Sequence, residues 1–269
     1  MKMSINKYIL TIVAIASAFI FTSCEKEIDV DLKSSEPKLV IEGLIAADSL
    51  ATVRLTMSKD FSGNNTFDPV LGALVSVSDD KGNTEILKID TSGIYKAQNL
   101  RGVPGRTYNL KINVDGQEYT ASSTMSPHTV KIDSITMYYI PLFKYACPMI
   151  HFQDPKGSKN YYRELLYING KRKKLDEDAT DTDDREGFYL SRLVPAFKEN
   201  GSDEDPIKKG DTITVEHQLL DKGAYTFFET LGRIGNSQTN PTNNIVGGAL
   251  GYFSAYTFDR KTVIADWPE

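Results

Sequence analysis

Three histidines, two cysteines and a surplus of acids are the side chains from which this sequence could build chemistry. His128, His151 and His217 stand far apart, and no Cys/His cluster has the spacing of a zinc site. The local signatures GxSxG, HExxH and the Gly-rich phosphate loop are all missing. The acids gather in DEDATDTDDREG, with seven carboxylates from Asp176 to Glu186. Calcium takes such oxygens, but the spacing misses the EF-hand template, with Thr180 where a fifth-position ligand belongs. Dense like charge favours a solvated loop, and ENGSDEDPIKKGD leaves the same choice between the two. The short basic run Lys171 to Lys174 reads as solvent-facing beside the acids. In NPTNNIVGGALGYFSAY, Gly247, Gly248 and Gly251 do not join a strand to a helix, so they suit close backbone packing or a bulge rather than a dinucleotide. Tyr252, Phe253 and Tyr256 follow them as a candidate partner or ligand surface; the competing reading places these rings in the core. No catalytic, cofactor-binding or metal-ligating set emerges, and the expectation is a protein that is not an enzyme.

The one cysteine with a clear chemical prospect is Cys24. Lys2 and Lys7 precede an apolar run from Tyr8 to Phe21, which then ends in Thr22, Ser23 and Cys24. The run has the length of a signal-peptide core and is too short to span a bilayer as a helix. Small residues before a cysteine resemble a bacterial lipobox, with Phe21 where Leu is usual; cleavage then leaves Cys24 lipidated. Residues 1–23 are therefore expected to be a signal peptide and 24–35 a lipidated acidic tether. Glu25, Glu27, Asp29 and Asp31 should hold the first residues off the membrane surface, as a surface-export signal or as a simple polar tether. The formal net charge of the whole chain is −5, and losing Lys2 and Lys7 makes the body more acidic, so nothing points to nucleic acid. With Cys24 lipidated, Cys147 stands alone in YACPMIHF and reads as a buried, inert thiol.

The elements that must position these residues are mostly strands. Leu39, Ile41 and Ile45 share one face, and Val53, Leu55 and Met57 alternate, as do Ala73, Val75 and Val77. TEILKI reads as one strand, and Tyr108, Leu110, Ile112 and Val114 lead through Asp115-Gly116 to Tyr119, Ala121 and Met125 as a hairpin. The expectation is a mainly β protein of two sandwich-like domains, 36–126 and 127–269, divided near Ser126, the first folding alone. In the second, Asn169-Gly170 predicts a hairpin, and Ile213, Val215, His217 and Leu219 alternate. Ala224, Phe227, Phe228, Leu231 and Ile234 fall at helical spacing, predicting one helix near 221–235, capped by Asp221 and stopped by Gly235. GALGYFSAYTF and KTVIA read as two closing strands.

The spacing of Ala73, Val75, Val77, Gly82, Asp90, Gly93, Tyr95, Leu100, Gly105, Tyr108 and Leu110 resembles transthyretin-like, carboxypeptidase-regulatory-type sandwiches, which serve as binding or spacer modules. The lipobox, CEKEIDVDL, PKLVIEGLI, the sandwich and NPTNNIVGGALGYFSAY together resemble the Bacteroidota lipoprotein family called domain of unknown function 4249. That resemblance implies an outer-membrane lipoprotein, lipid-anchored and acting beside a TonB-dependent transporter in nutrient uptake, and it supplies no catalytic residues. The expected function is a non-enzymatic accessory or ligand-binding partner of such a transporter. Its rivals are a surface carbohydrate-binding protein or hydrolase using acidic-loop carboxylates, and a structural envelope protein.

Overall fold

In a computed structural model, residues 36–59, 67–142, 144–157, 159–173, 179–182, 185–196, 206–233 and 240–268 are described. Cys24 with the expected signal peptide and tether, most carboxylates of both acidic loops, Ile234 and Gly235 lie outside the described residues. The first eight strands are β1 (Leu39–Ala46), β2 (Leu50–Met57), β3 (Leu74–Asp79), β4 (Thr84–Ile86), β5 (Lys88–Ile89), β6 (Ile94–Arg101), β7 (Thr107–Val114) and β8 (Gln117–Thr124). Then come β9 (Ser134–Ile140), β10 (Tyr145–Gln153), β11 (Tyr161–Ile168), β12 (Lys171–Arg172), β13 (Ala179–Asp181), β14 (Tyr189–Leu193) and β15 (Thr212–Leu220). Helix α1 (Lys222–Gly232), β16 (Ile245–Val246) and β17 (Leu250–Ile264) complete the chain.

The expected mainly β, sandwich-like architecture with one short helix is what the chain forms. A nine-stranded sheet runs β12-β11-β15-β17-β1-β2-β6-β5, with β13 beside β11. On one of its faces lie two smaller sheets, β16-β8-β7-β3-β4 and β14-β10-β9. The turns follow from residue chemistry. Asp115 and Gly116 have φ of 50° and 85°, and Asn169 and Gly170 have 50° and 78°. Positive φ at both central residues is what a tight hairpin demands, and Asn, Asp and Gly tolerate it best. TEILKI divides: β4 pairs with β3 and β5 with β6, so this short run crosses between sheets at buried Leu87.

The two closing strands are one. β17 pairs in parallel with β1 through residues 250–256 and antiparallel with β15 through residues 257–264. Its period of two sends Phe253 and Ala255 into the core under the five-stranded sheet, while Val263 packs on the core under β14-β10-β9. Tyr252 and Tyr256 point to the opposite face, where α1 lies. The nine-stranded sheet therefore crosses the boundary expected near Ser126, and Pro37–Glu269 forms one compact unit around the two cores.

Candidate functional site

The helix begins where the sequence places it. The Asp221 carboxylate accepts the Ala224 N–H at 2.8 Å, satisfying one of the donors a helix start leaves open. Its other oxygen accepts from the Ser123 hydroxyl at 2.6 Å and the Thr124 N–H at 3.1 Å, so one side chain caps α1 and fixes it to β8. Phe227 and Phe228 then pack their rings 4.8 Å and 4.7 Å from Tyr252.

Between α1 and the sheet lies a groove of about 300 Å³. Its floor carries Val40, Glu42 and Leu44 from β1, Tyr252 and Tyr256 from β17, Gln218 from β15, and Arg163 and Leu165 from β11. Leu231 and Phe227 form the helical wall, and Arg172 stands at the β12 end. The Arg163 guanidinium is buried 3.7 Å above the Phe228 ring, a cation–π contact that stiffens the floor. On the same face of the sheet, beside Gln218, Glu216 accepts from Arg260 Nε at 2.6 Å and from the Gln218 amide at 2.5 Å. Burial, followed by the Glu216 charge, pushes the Tyr256 hydroxyl up to about 12, so at neutral pH it is a neutral donor. The one carboxylate lining the groove, Glu42, faces Arg54 at 3.5 Å.

Two glycines allow close backbone approaches, Gly251 in this floor and Gly247 against β8. A Cβ on Gly251, where φ is +103°, would sit 1.9 Å from the Ile41 carbonyl oxygen, so only glycine lets β17 approach β1 there. One on Gly247 would sit 2.7 Å from the Glu118 carbonyl oxygen. Just before β17, the Asn244 side chain accepts the Phe253 N–H at 3.0 Å and donates to the Phe253 carbonyl at 2.7 Å.

On the other face of the sheet a second polar set is buried. Glu164 accepts from Arg192 at 3.2 Å and meets His217 Nδ1 at 3.0 Å. Burial pushes the Glu164 carboxyl upward, but the Arg192 charge and the His217 hydrogen bond outweigh it and hold the group below the ordinary carboxylate range. His217 lies 4.4 Å from the Phe152 ring and stacks 4.6 Å from Tyr162. The Tyr162 hydroxyl donates to buried Asp154 at 2.5 Å; burial first, then that carboxylate, raises its pKa. His217 is closed off from solvent, so its imidazole braces the core.

Of the three rings expected at a partner surface, Tyr252 and Tyr256 line the groove and are half-buried. Phe253 is corrected: it is fully buried in the first core, because adjacent strand residues face opposite ways. The histidines stay apart. His128 is exposed, His217 braces the core, and His151 sits between the hydroxyls of Thr136 at 2.9 Å and Ser191 at 2.8 Å. Cys147 is buried, and burial pushes its thiol up, away from reactivity. Among the described residues no three His, Cys, Asp or Glu side chains gather as a metal site. Arg163, Gln218 and Val40 were missed as groove residues. Only the alternation of their strands hinted at their face, and no local pattern shows which strands are neighbours.

The profile of a family described as "Domain of unknown function (DUF4249)" matches residues 25–262. No curated protein matches the chain.

Proposed function

The chain belongs to the DUF4249 family, and on that footing we propose that it is a non-enzymatic outer-membrane lipoprotein, anchored through Cys24, that assists a TonB-dependent nutrient transporter. In this reading the groove under α1 receives a segment of the transporter or its nutrient. One observation carries it. The groove is lined by rings and aliphatic side chains with Arg163, Arg172 and Gln218 between them, and its single lining carboxylate, Glu42, already faces Arg54. Acid–base glycoside cleavage uses two carboxyl groups flanking the bond. Rings held by packing, with a few fixed polar groups between them, suit recognition instead.

Two experiments test this. Cys24→Ala should leave the membrane fraction or remain unprocessed; full membrane retention at normal mature mass refutes the anchor. Tyr256→Ala, in a chain that keeps its thermal transition, should lower co-purification of the transporter from membranes about tenfold, the size of a modest interface hot spot. Co-purification at the wild-type level removes the groove from the docking surface.

A further inference from the structure

Among the described residues, thirteen large hydrophobic side chains are exposed, and six of them belong to residues that the strand pairing gathers toward one end of the first sandwich. They are Met57, Phe67, Leu71, Leu74, Ile86 and Ile89, with Leu71 68 %, Ile86 60 % and Leu74 57 % exposed. Their proximity follows from the pairing. Thr56 bridges Pro69 and the Val70 N–H bonds to the Leu55 carbonyl, which sets Phe67–Val70 alongside the end of β2. The Tyr95 hydroxyl donates to the Val70 carbonyl and accepts the Ala73 N–H, both at 3.0 Å, so Leu71 projects from a pinned segment. Ile89 pairs beside that same Tyr95, and Ile86 lies opposite Ser76, two residues along β3 from Leu74. Soluble surfaces rarely gather apolar side chains in this way unless something covers them.

The position of the pole identifies what covers it. The folded unit begins at Pro37, and the chain enters it beside this patch. Leu39 pairs with Met57, and the Lys38 N–H donates to the Ser58 hydroxyl at 2.8 Å. From Leu39 back to Cys24 the chain can reach at most about 50 Å, at about 3.3–3.6 Å per residue. A lipid on Cys24 therefore brings this pole to the bilayer with the tether still compact, whereas the far end of β17, about 45 Å away at about 3.3 Å per residue, reaches it only at the entropic cost of a nearly extended tether. Tethering supplies a high local concentration, so a weak apolar contact suffices. Lys59, whose ammonium lies 6.0 Å from the Phe67 ring and 3.9 Å from the exposed Asp68 carboxylate, can keep that charge pair in the headgroup layer while its stem lies along apolar surface.

We propose that the pole formed by Met57, Phe67, Leu71, Leu74, Ile86 and Ile89 rests on the lipid bilayer and orients the anchored protein. This rests on the lipid-anchor reading, and its test is independent of lipidation. The mature chain carrying Cys24→Ser and an N-terminal histidine tag is held on phosphatidylethanolamine/phosphatidylglycerol vesicles through nickel-chelating lipid. A thiol-reactive fluorophore is placed at Leu71→Cys or, as control, at Ile264→Cys, Cys147 being buried. Ile264 is 61 % exposed and closes the strand whose other end pairs with β1, about 45 Å away at about 3.3 Å per residue. Nitroxide-labelled acyl chains should quench the probe at position 71 at least about threefold more than at 264, in low and high salt alike. Adding Leu74→Asp and Ile86→Asp should bring the two sites level. Equal quenching at 71 and 264 overturns the proposal. So does protection of position 71 from aqueous iodide without nitroxide quenching, which would mean a protein occupant. Failure of the anchor itself appears separately, as wild-type membrane retention of Cys24→Ala.

Discussion

Gly251→Ala tests whether the contact between β1 and β17 holds the molecule together. Two penalties act at this position. With φ at +103°, a side chain is held in a sparsely populated backbone region, costing about 1–3 kcal/mol. Its Cβ would also lie 1.9 Å from the Ile41 oxygen, 2.8 Å from the Ile41 carbonyl carbon and 2.9 Å from its nitrogen. All three are backbone atoms, so no rotamer change relieves the clash, and the paired strands must separate; overpacking of this kind costs a further ~1–3 kcal/mol. Gly248→Ala is the matched control. Its φ is +88°, yet its Cβ would meet nothing within 4 Å, so only the backbone penalty applies. The readout is denaturant unfolding followed by the single tryptophan, Trp267, which stacks 5.6 Å from Tyr139. Gly251→Ala should lose at least about 1 kcal/mol more than Gly248→Ala, or roughly 2–4 °C in thermal midpoint. Equal losses would mean that the close approach of the two strands contributes nothing.

Phe253→Ala should cost about 3–5 kcal/mol in the same unfolding experiment, because the ring is enclosed in the core, whereas Tyr256→Ala should cost distinctly less. The depressed Glu164 carboxyl gives a pH signature: its contribution is intact above the ordinary value of 4.5 and is lost as pH falls below it, so the thermal midpoint should drop on acidification, and drop less in Glu164→Gln. At neutral pH that variant should itself be destabilised by about 3–5 kcal/mol, since it leaves the buried Arg192–His217 side uncompensated. A fragment of residues 36–126 should show no cooperative thermal transition, because Ile245, Phe253 and Ala255 complete its core and β17 covers the free edge of β1.

The parts of the fold that were legible in the sequence are those decided by neighbours in the chain. Asp115-Gly116 and Asn169-Gly170 announce their turns because few residues accept positive φ, and Asp221 announces α1 because its oxygen reaches a donor three residues on. β17 was read as two strands because Asp259 and Arg260, with Lys261 opening the second, break its apolar pattern. Each of these charges is satisfied from far away in sequence. Asp259 accepts the Ile132 N–H, Arg260 pairs with Glu216, and the Lys261 ammonium donates to the carbonyls of Ile132 and Asp133. The groove was legible only in part for the same reason. Tyr252 and Tyr256 stood out as local rings, but Val40, Gln218 and Arg163 join them through pairings that no short window contains.

The double pairing of β17 also sets the order in which this protein can come into being. Val40 finds its partner in Leu250, some 210 positions later in the chain. Contacts of such long range slow folding, since the entropy of closing the loop is lost before the pairing rewards it. A chain emerging N-terminus first therefore exposes the free edge of β1, and lacks part of each core, until its last strand arrives. Both halves then close in one event around that strand. Proteolytic loss of the C-terminal end should accordingly loosen the first-made half as well as the last.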